Sequence, residues 1–212
     1  TPPSLRGSLH VPGNIGGLHW GGLAWDARQR LLIAPVNRWP AIIRLLPRAQ
    51  FDEAQKAFPA RETTEQDGTP YSMSREPFVA PSGVPCSAPP WGELVAIHAE
   101  SGEVAWRVPL GDLREKGMPS SGAPTGSPNL GGPATTETGL VFIGATLDDY
   151  FRAFDTRNGR EVWKARLPTS ARATPLVFTT PSGRHMVAIA AGGHDHPLSR
   201  IDTKMVVFAL TK

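Results

Sequence analysis

Only one cysteine, Cys86, stands in 212 residues, so no disulfide can form within the chain. A lone thiol fits an oxidising or a reducing compartment, and position alone gives Cys86 no reactivity beyond that of a packed or inert residue. Long apolar runs are also lacking. None approaches the ~18 residues of a membrane-crossing helix. Charge of one sign is scarce: 22 Lys and Arg against 19 Asp and Glu leave a net +3. The charges form no block, and aromatic residues are not interleaved with basic ones, which argues against a nucleic-acid footprint. The start, Thr1-Pro2-Pro3-Ser4, has no Met and is no signal peptide. The expectation is a fragment of a longer chain.

Turn residues, by contrast, are plentiful, with 22 Gly and 22 Pro. This lies below the ~25–30% of low-complexity disorder. Forty per cent hydrophobic residues complete a globular composition. The combination favours an all-β fold with many tight connections.

A repeat organises the chain. Ala96-Ile97-His98 with Gly102 and Trp106 matches Ala153-Phe154-Asp155 with Gly159 and Trp163. Both read Ala-x-(Asp/His)-x-x-x-Gly-x-x-x-Trp, and Val207-Phe208-Ala209-Leu210 begins a third copy. Each copy predicts a hairpin. Ser101-Gly102 and Asn158-Gly159 form the turns, because Gly and Asn tolerate positive φ. The Trp covers the neighbouring sheet, and the small Ala lets backbones approach. Stacked four-stranded sheets of this kind are propeller blades.

The chain then divides into a blade over 1–110, a blade over 131–168 and an incomplete blade over 173–212. The first carries a long insertion at about 37–90. Ser8–Val11 reads as the last strand of a preceding blade. The insertion reads as a strand at Ala41–Leu46, a short helix at Arg48–Ala57, and loop thereafter. Loops of that length are usually functional or partner-facing. Closed rings need four to eight blades, so about three blades form a partial β-propeller, and its open edges invite self-association.

Several segments resemble the PQQ-dependent (quinoprotein) dehydrogenases, in particular the membrane-bound glucose and quinate dehydrogenase branch. The run from Leu130-Gly131-Gly132-Pro133 to Gly144-Ala145-Thr146 is similar to a late blade of that family. Trp20-Gly21-Gly22, Pro90-Trp91-Gly92 and Gly192-Gly193-His194 fit in order. The resemblance implies an eight-bladed propeller holding pyrroloquinoline quinone (PQQ) with Ca²⁺ or Mg²⁺. It further implies oxidation of a sugar or polyol alcohol, with electrons passed to ubiquinone. The setting it implies is the periplasm, with tethering to the inner membrane by a missing N-terminal region. The catalytic base, the stacking Trp and most metal ligands belong to other blades in this family, so no catalytic residue is expected here and the isolated chain is expected to be inactive without bound cofactor. By the same resemblance, Leu130 and Gly131 cover PQQ and His194 lines the active-site mouth. Pro35 falls where the glucose branch has an Asn that contacts PQQ. Asn37, two residues on and on the same face by alternation, could supply that amide.

Each of these residues has a plainer reading. Leu130 can be a turn packer, Asn37 a turn residue and His194 part of a polar loop. His194 and His196, with Asp202 or His185 near in sequence, could hold zinc. Asp148-Asp149 could be a calcium pair or a hairpin turn. Neither Gly-x-Gly-x-x-Gly nor Gly-x-Ser-x-Gly is present to mark a phosphate loop or a hydrolase. The alternative function is a non-catalytic propeller that serves as a binding scaffold.

Overall fold

The computed structural model describes residues 2–13, 15–57, 61–119, 122–193 and 198–210. The strands run in chain order β1 (Ser8–His10), β2 (Ala24–Asp26), β3 (Leu31–Asn37), β4 (Ala41–Pro47), β5 (Glu62–Glu65), β6 (Tyr71–Pro77), β7 (Gly92–His98) and β8 (Val104–Pro109). They continue as β9 (Ala134–Thr135), β10 (Leu140–Ile143), β11 (Tyr150–Asp155), β12 (Glu161–Arg166), β13 (Leu176–Thr179), β14 (His185–Ala191) and β15 (Lys204–Ala209). One short helix, α1 (Phe51–Ala57), follows β4. The chain divides into two compact units, Thr1–Gly17 with Arg38–Ala88 and Leu18–Asn37 with Pro89–Lys212.

The larger unit holds three antiparallel sheets, ordered β2-β3-β7-β8, β9-β10-β11-β12 and β13-β14-β15. Their pairing explains the repeat. Ala96 lies opposite Trp106 across β7 and β8, and Ala153 opposite Trp163 across β11 and β12. Both pairs sit beside a register shift at the same motif position, Ala96/Ile97 and Ala153/Phe154. A small residue facing a large one leaves room for the indole to lie over the sheet. The turns behave as their glycines require: Gly102 has φ 73° and Gly159 φ 71°.

Packing between sheets follows. Leu31, Ile33, Leu94, Ala96 and Trp106 of the first sheet bury against Val141, Ile143, Ala145 and Phe154 of the second. Phe142 and Phe151 face the other way, into Leu167, Val187 and Ile189. The middle sheet is covered on both faces, and so β10 reads Leu-Val-Phe-Ile without polar alternation. Trp106 is 9% exposed. Its Nε1–H donates to the Thr156 carbonyl at 2.8 Å. A Cβ on Gly159 would come within 2.5 Å of its ring. The Trp of one sheet is thus clasped by the hairpin of the next. The innermost strands β2 and β13 both flank β9. Sheets side by side, inner edges together and Trp residues on the outer strands, form a partial β-propeller.

The smaller unit departs from the sequence expectation in two places. Ser8–His10 pairs with Ile43, Ile42 and Ala41 of β4, so it joins the inserted segment, a partner the sequence reading did not give it. The stretch read as loop after α1 contains β5 and β6, giving a sheet ordered β1-β4-β6-β5. Strand β6 pairs with β4 from Ala41↔Pro77 to Pro47↔Tyr71. The strand at Ala41 and the helix ending at Ala57 form as expected.

Candidate functional site

Two loops of the larger unit lead into inner strands: 18–23 before β2 and 128–133 before β9. They meet through glycine. A Cβ on Gly21 would lie 2.6 Å from the Gly131 carbonyl carbon and 2.7 Å from Gly132 N. A Cβ on Gly132 would lie 2.2 Å from Gly21 O and 2.4 Å from Thr174 Oγ1. Gly131, at φ 140°, has Arg172 O 2.6 Å from where its Cβ would be. No side chain fits at these points, and the turn is held in one place. Leu130, half-buried, anchors its N–H on the Ala145 carbonyl at 2.9 Å.

The residue just before Leu130 is clamped more tightly still. Asn129 is fully buried. Its N–H donates to Asn37 Oδ1 at 2.8 Å, and its carbonyl accepts from Asn37 Nδ2 at 2.9 Å. Its own Nδ2 donates to Ser127 O at 3.2 Å, which turns Oδ1 toward His19. His19 Nε2 lies 3.3 Å from that oxygen. The Gly21 N–H donates to His19 Nδ1 at 3.1 Å. Nδ1 therefore accepts and Nε2 carries the proton, the neutral tautomer. Burial pushes the His19 pKa below its ordinary value against the opposing effect of its hydrogen bond to Asn129. Trp20 meets His19 edge to face at 5.9 Å and is 71% exposed.

The structure brings Leu130, Gly131 and Asn37 together around this turn. Asn37 is fully buried, and its amide is engaged by the Asn129 main chain. Pro35 is buried in β3 opposite Leu94. Strand β2 pairs with β3 only as far as Ile33, so a residue without an N–H is tolerated there. His194 and His196 lie outside the described residues. His185 is exposed and bonded to Thr179 Oγ1. Among the described residues no His, Cys, Asp or Glu cluster is placed to hold a metal ion. His19 and Asn129 are the members that sequence reasoning missed. Each stands immediately before a quoted motif, Trp20-Gly21-Gly22 and Leu130-Gly131-Gly132.

A second feature is a cleft of about 470 Å³ lined by Asp112, Arg114, Glu115, Asp148, Tyr150, Arg152 and Lys164. Its charges are paired. Buried Arg152 contacts Asp148 at 2.5 Å and Glu161 at 3.0 Å. Burial works against the Arg152 charge, but the Asp148 and Glu161 carboxylates more than offset it and hold its pKa above the usual value. Asp148 also accepts the Asp112 N–H at 2.7 Å, and Asp149 takes a turn conformation at φ 64°. The hairpin-turn reading of the Asp pair is the one the structure shows.

Residues 1–187 match the family model PQQ, the β-propeller domain of glucose/ethanol/alcohol dehydrogenase. The chain belongs to this family. Quinate/shikimate dehydrogenase (quinone) of Acinetobacter baylyi is 37% identical over 91% of the chain and 25% of its own length. Quinoprotein glucose dehydrogenase of Escherichia coli is 35% identical over 99% of the chain and 28% of its own length. The chain thus spans about a quarter of the curated relatives it matches. In fold it resembles quinohemoprotein alcohol dehydrogenase from Comamonas testosteroni, with a TM-score of 0.59 and 23% identity. That likeness covers 88% of this chain and 24% of the other. The turn at Leu130 has the chemistry that an apolar wall for a flat ring would need. It offers a half-buried apolar side chain on a backbone cradle that any Cβ would fill.

Proposed function

We propose that this chain is one sector of a PQQ-dependent dehydrogenase that oxidises a sugar or polyol alcohol and passes electrons to ubiquinone from the periplasmic side of the inner membrane. The observation that carries the reading is the family match over residues 1–187, joined to the glycine cradle at Leu130-Gly131-Gly132. The relatives' names point to quinate or shikimate, glucose and glycerol as substrate chemistry. When bound, PQQ supplies the two-electron acceptor for the alcohol carbon.

In this reading the chain's residues do supporting work. Leu130 lays an apolar surface against the cofactor and excludes water. Gly131 and Gly132 keep the backbone close beneath it. Asn37 holds the turn from below through Asn129, and Pro35 stiffens the strand that carries Asn37. The carboxylate base and most of the Ca²⁺ or Mg²⁺ ligands come from blades outside this chain, as does the cofactor-stacking Trp. The remaining blades are its principal partners, and without them exposed Leu176, Met205 and Val207 drive self-association, which light scattering detects as species larger than the monomer.

The test is dye-linked alcohol oxidation with PQQ and Ca²⁺, offering glucose, quinate and glycerol to the intact protein and to residues 1–212 alone. Turnover by the intact protein that depends on PQQ, and none by residues 1–212, is the expected result. Turnover by the isolated chain would misplace the active site. An intact protein that neither binds PQQ nor turns over would favour a scaffold role.

A further inference from the structure

We infer that His19 is a positioning residue for the cofactor-facing turn, acting through Asn129. This rests on the proposed PQQ site and names a member of it. Asn37 fixes the Asn129 main chain from within the first sheet. His19 fixes its side chain from the other side, out of the loop before β2. The same imidazole receives the Gly21 N–H, and Gly21 is the residue wedged against Gly131 and Gly132. One neutral ring therefore ties together the two loops whose glycines meet at the cradle. Its two nitrogens have opposite jobs: Nε2–H donates to Asn129 Oδ1, and Nδ1 accepts from Gly21.

The arrangement makes a structural statement about Leu130. Asn129 has its N–H, its carbonyl and both ends of its side-chain amide engaged, and Leu130 has its N–H on Ala145. The peptide between them has little freedom. Holding a ligand-facing group in the bound geometry before the ligand arrives lowers the ordering cost of binding. Removing His19 leaves the buried Asn129 oxygen without that donor and frees Gly21 from its imidazole tether. The main-chain clamp from Asn37 remains, so the fold survives while the turn loosens.

Three variants of the intact protein separate the roles. His19→Leu removes both bonds. His19→Gln places an amide N–H near Nε2 and keeps the donor to Asn129. His19→Asn keeps an acceptor near Nδ1 but is too short to reach Asn129. PQQ affinity is read by quenching of tryptophan fluorescence, and the unfolding midpoint is read without PQQ. The expected result is a roughly tenfold weaker Kd for His19→Leu and His19→Asn, about 1.4 kcal/mol. His19→Gln stays near the unsubstituted protein, and all three variants stay folded without PQQ at the assay temperature. Should His19→Leu fail to fold, His19→Asn against His19→Gln carries the comparison. Unchanged PQQ affinity in His19→Leu or His19→Asn overturns the inference, and so does equal weakening in all three. An unsubstituted protein that binds no PQQ overturns the functional reading itself, and the inference with it.

Discussion

Asp155 shows how much one side chain does at a turn. Its carboxylate accepts the Arg157 N–H at 2.9 Å and the Arg157 guanidinium at 2.6 Å, and its carbonyl accepts the Gly159 N–H at 2.9 Å. The Arg157 side chain, with its backbone N–H, holds the Asp155 pKa down to about 2. A depressed carboxylate stabilises the fold above its unfolded pKa of ~3.9, and that contribution is lost as pH falls through the folded value. Arg157 is exposed, so screening keeps the effect small. The expected outcome is that Asp155→Asn removes a part of the acid sensitivity between about pH 4 and 2, read as denaturation midpoint against pH. Identical pH profiles for the two proteins would show that the turn is indifferent to this charge. His19 has the matching sign: with its pKa lowered, it adds a penalty as pH falls below ~6.5.

At the scale of elements, the Ala–Trp pairs were legible and the inserted sheet was not. Ala96 with Trp106 and Ala153 with Trp163 advertise their cross-strand contact by a fixed spacing around a Gly turn. Strand β5, Glu-Thr-Thr-Glu, is short and polar and carries no apolar alternation, so nothing separates it from loop. Strand β1 was visible as a strand, but its partner β4 is specified only by three-dimensional pairing. The site behaved likewise. Leu130 and Gly131 stood out by resemblance. The Asn37–Asn129 and His19–Asn129 bonds span 92 and 110 residues, a separation for which one sequence offers no periodicity. The two motif tryptophans also differ in a way the repeat conceals. Trp106 is 9% exposed and clasped by the next hairpin, whereas Trp163 is 36% exposed and packs edge-on to Phe208 at 5.0 Å. Trp106→Ala is expected to cost about 3–5 kcal/mol. Trp163→Ala in residues 1–212 costs clearly less, and Trp106→Phe about 1 kcal/mol for the lost Thr156 bond. Urea denaturation of the three variants gives the order, and equal costs for the two alanine variants would contradict it.

For the whole molecule, three sheets of the larger unit share their inner edges and bury successive cores. The loops entering the inner strands form the glycine cradle. A propeller domain concentrates its ligand-facing loops this way because strand ends from several blades converge. The functional account therefore depends on the quinone lying against Leu130 and Gly131, with His19 and Asn37 behind them. An experimental structure of the intact protein with PQQ bound tests this most directly. The account predicts the cofactor ring within ~4 Å of the Leu130 side chain, with the His19–Asn129 bond intact. A quinone bound elsewhere in the protein, with Leu130 packed only against its own chain, would contradict it.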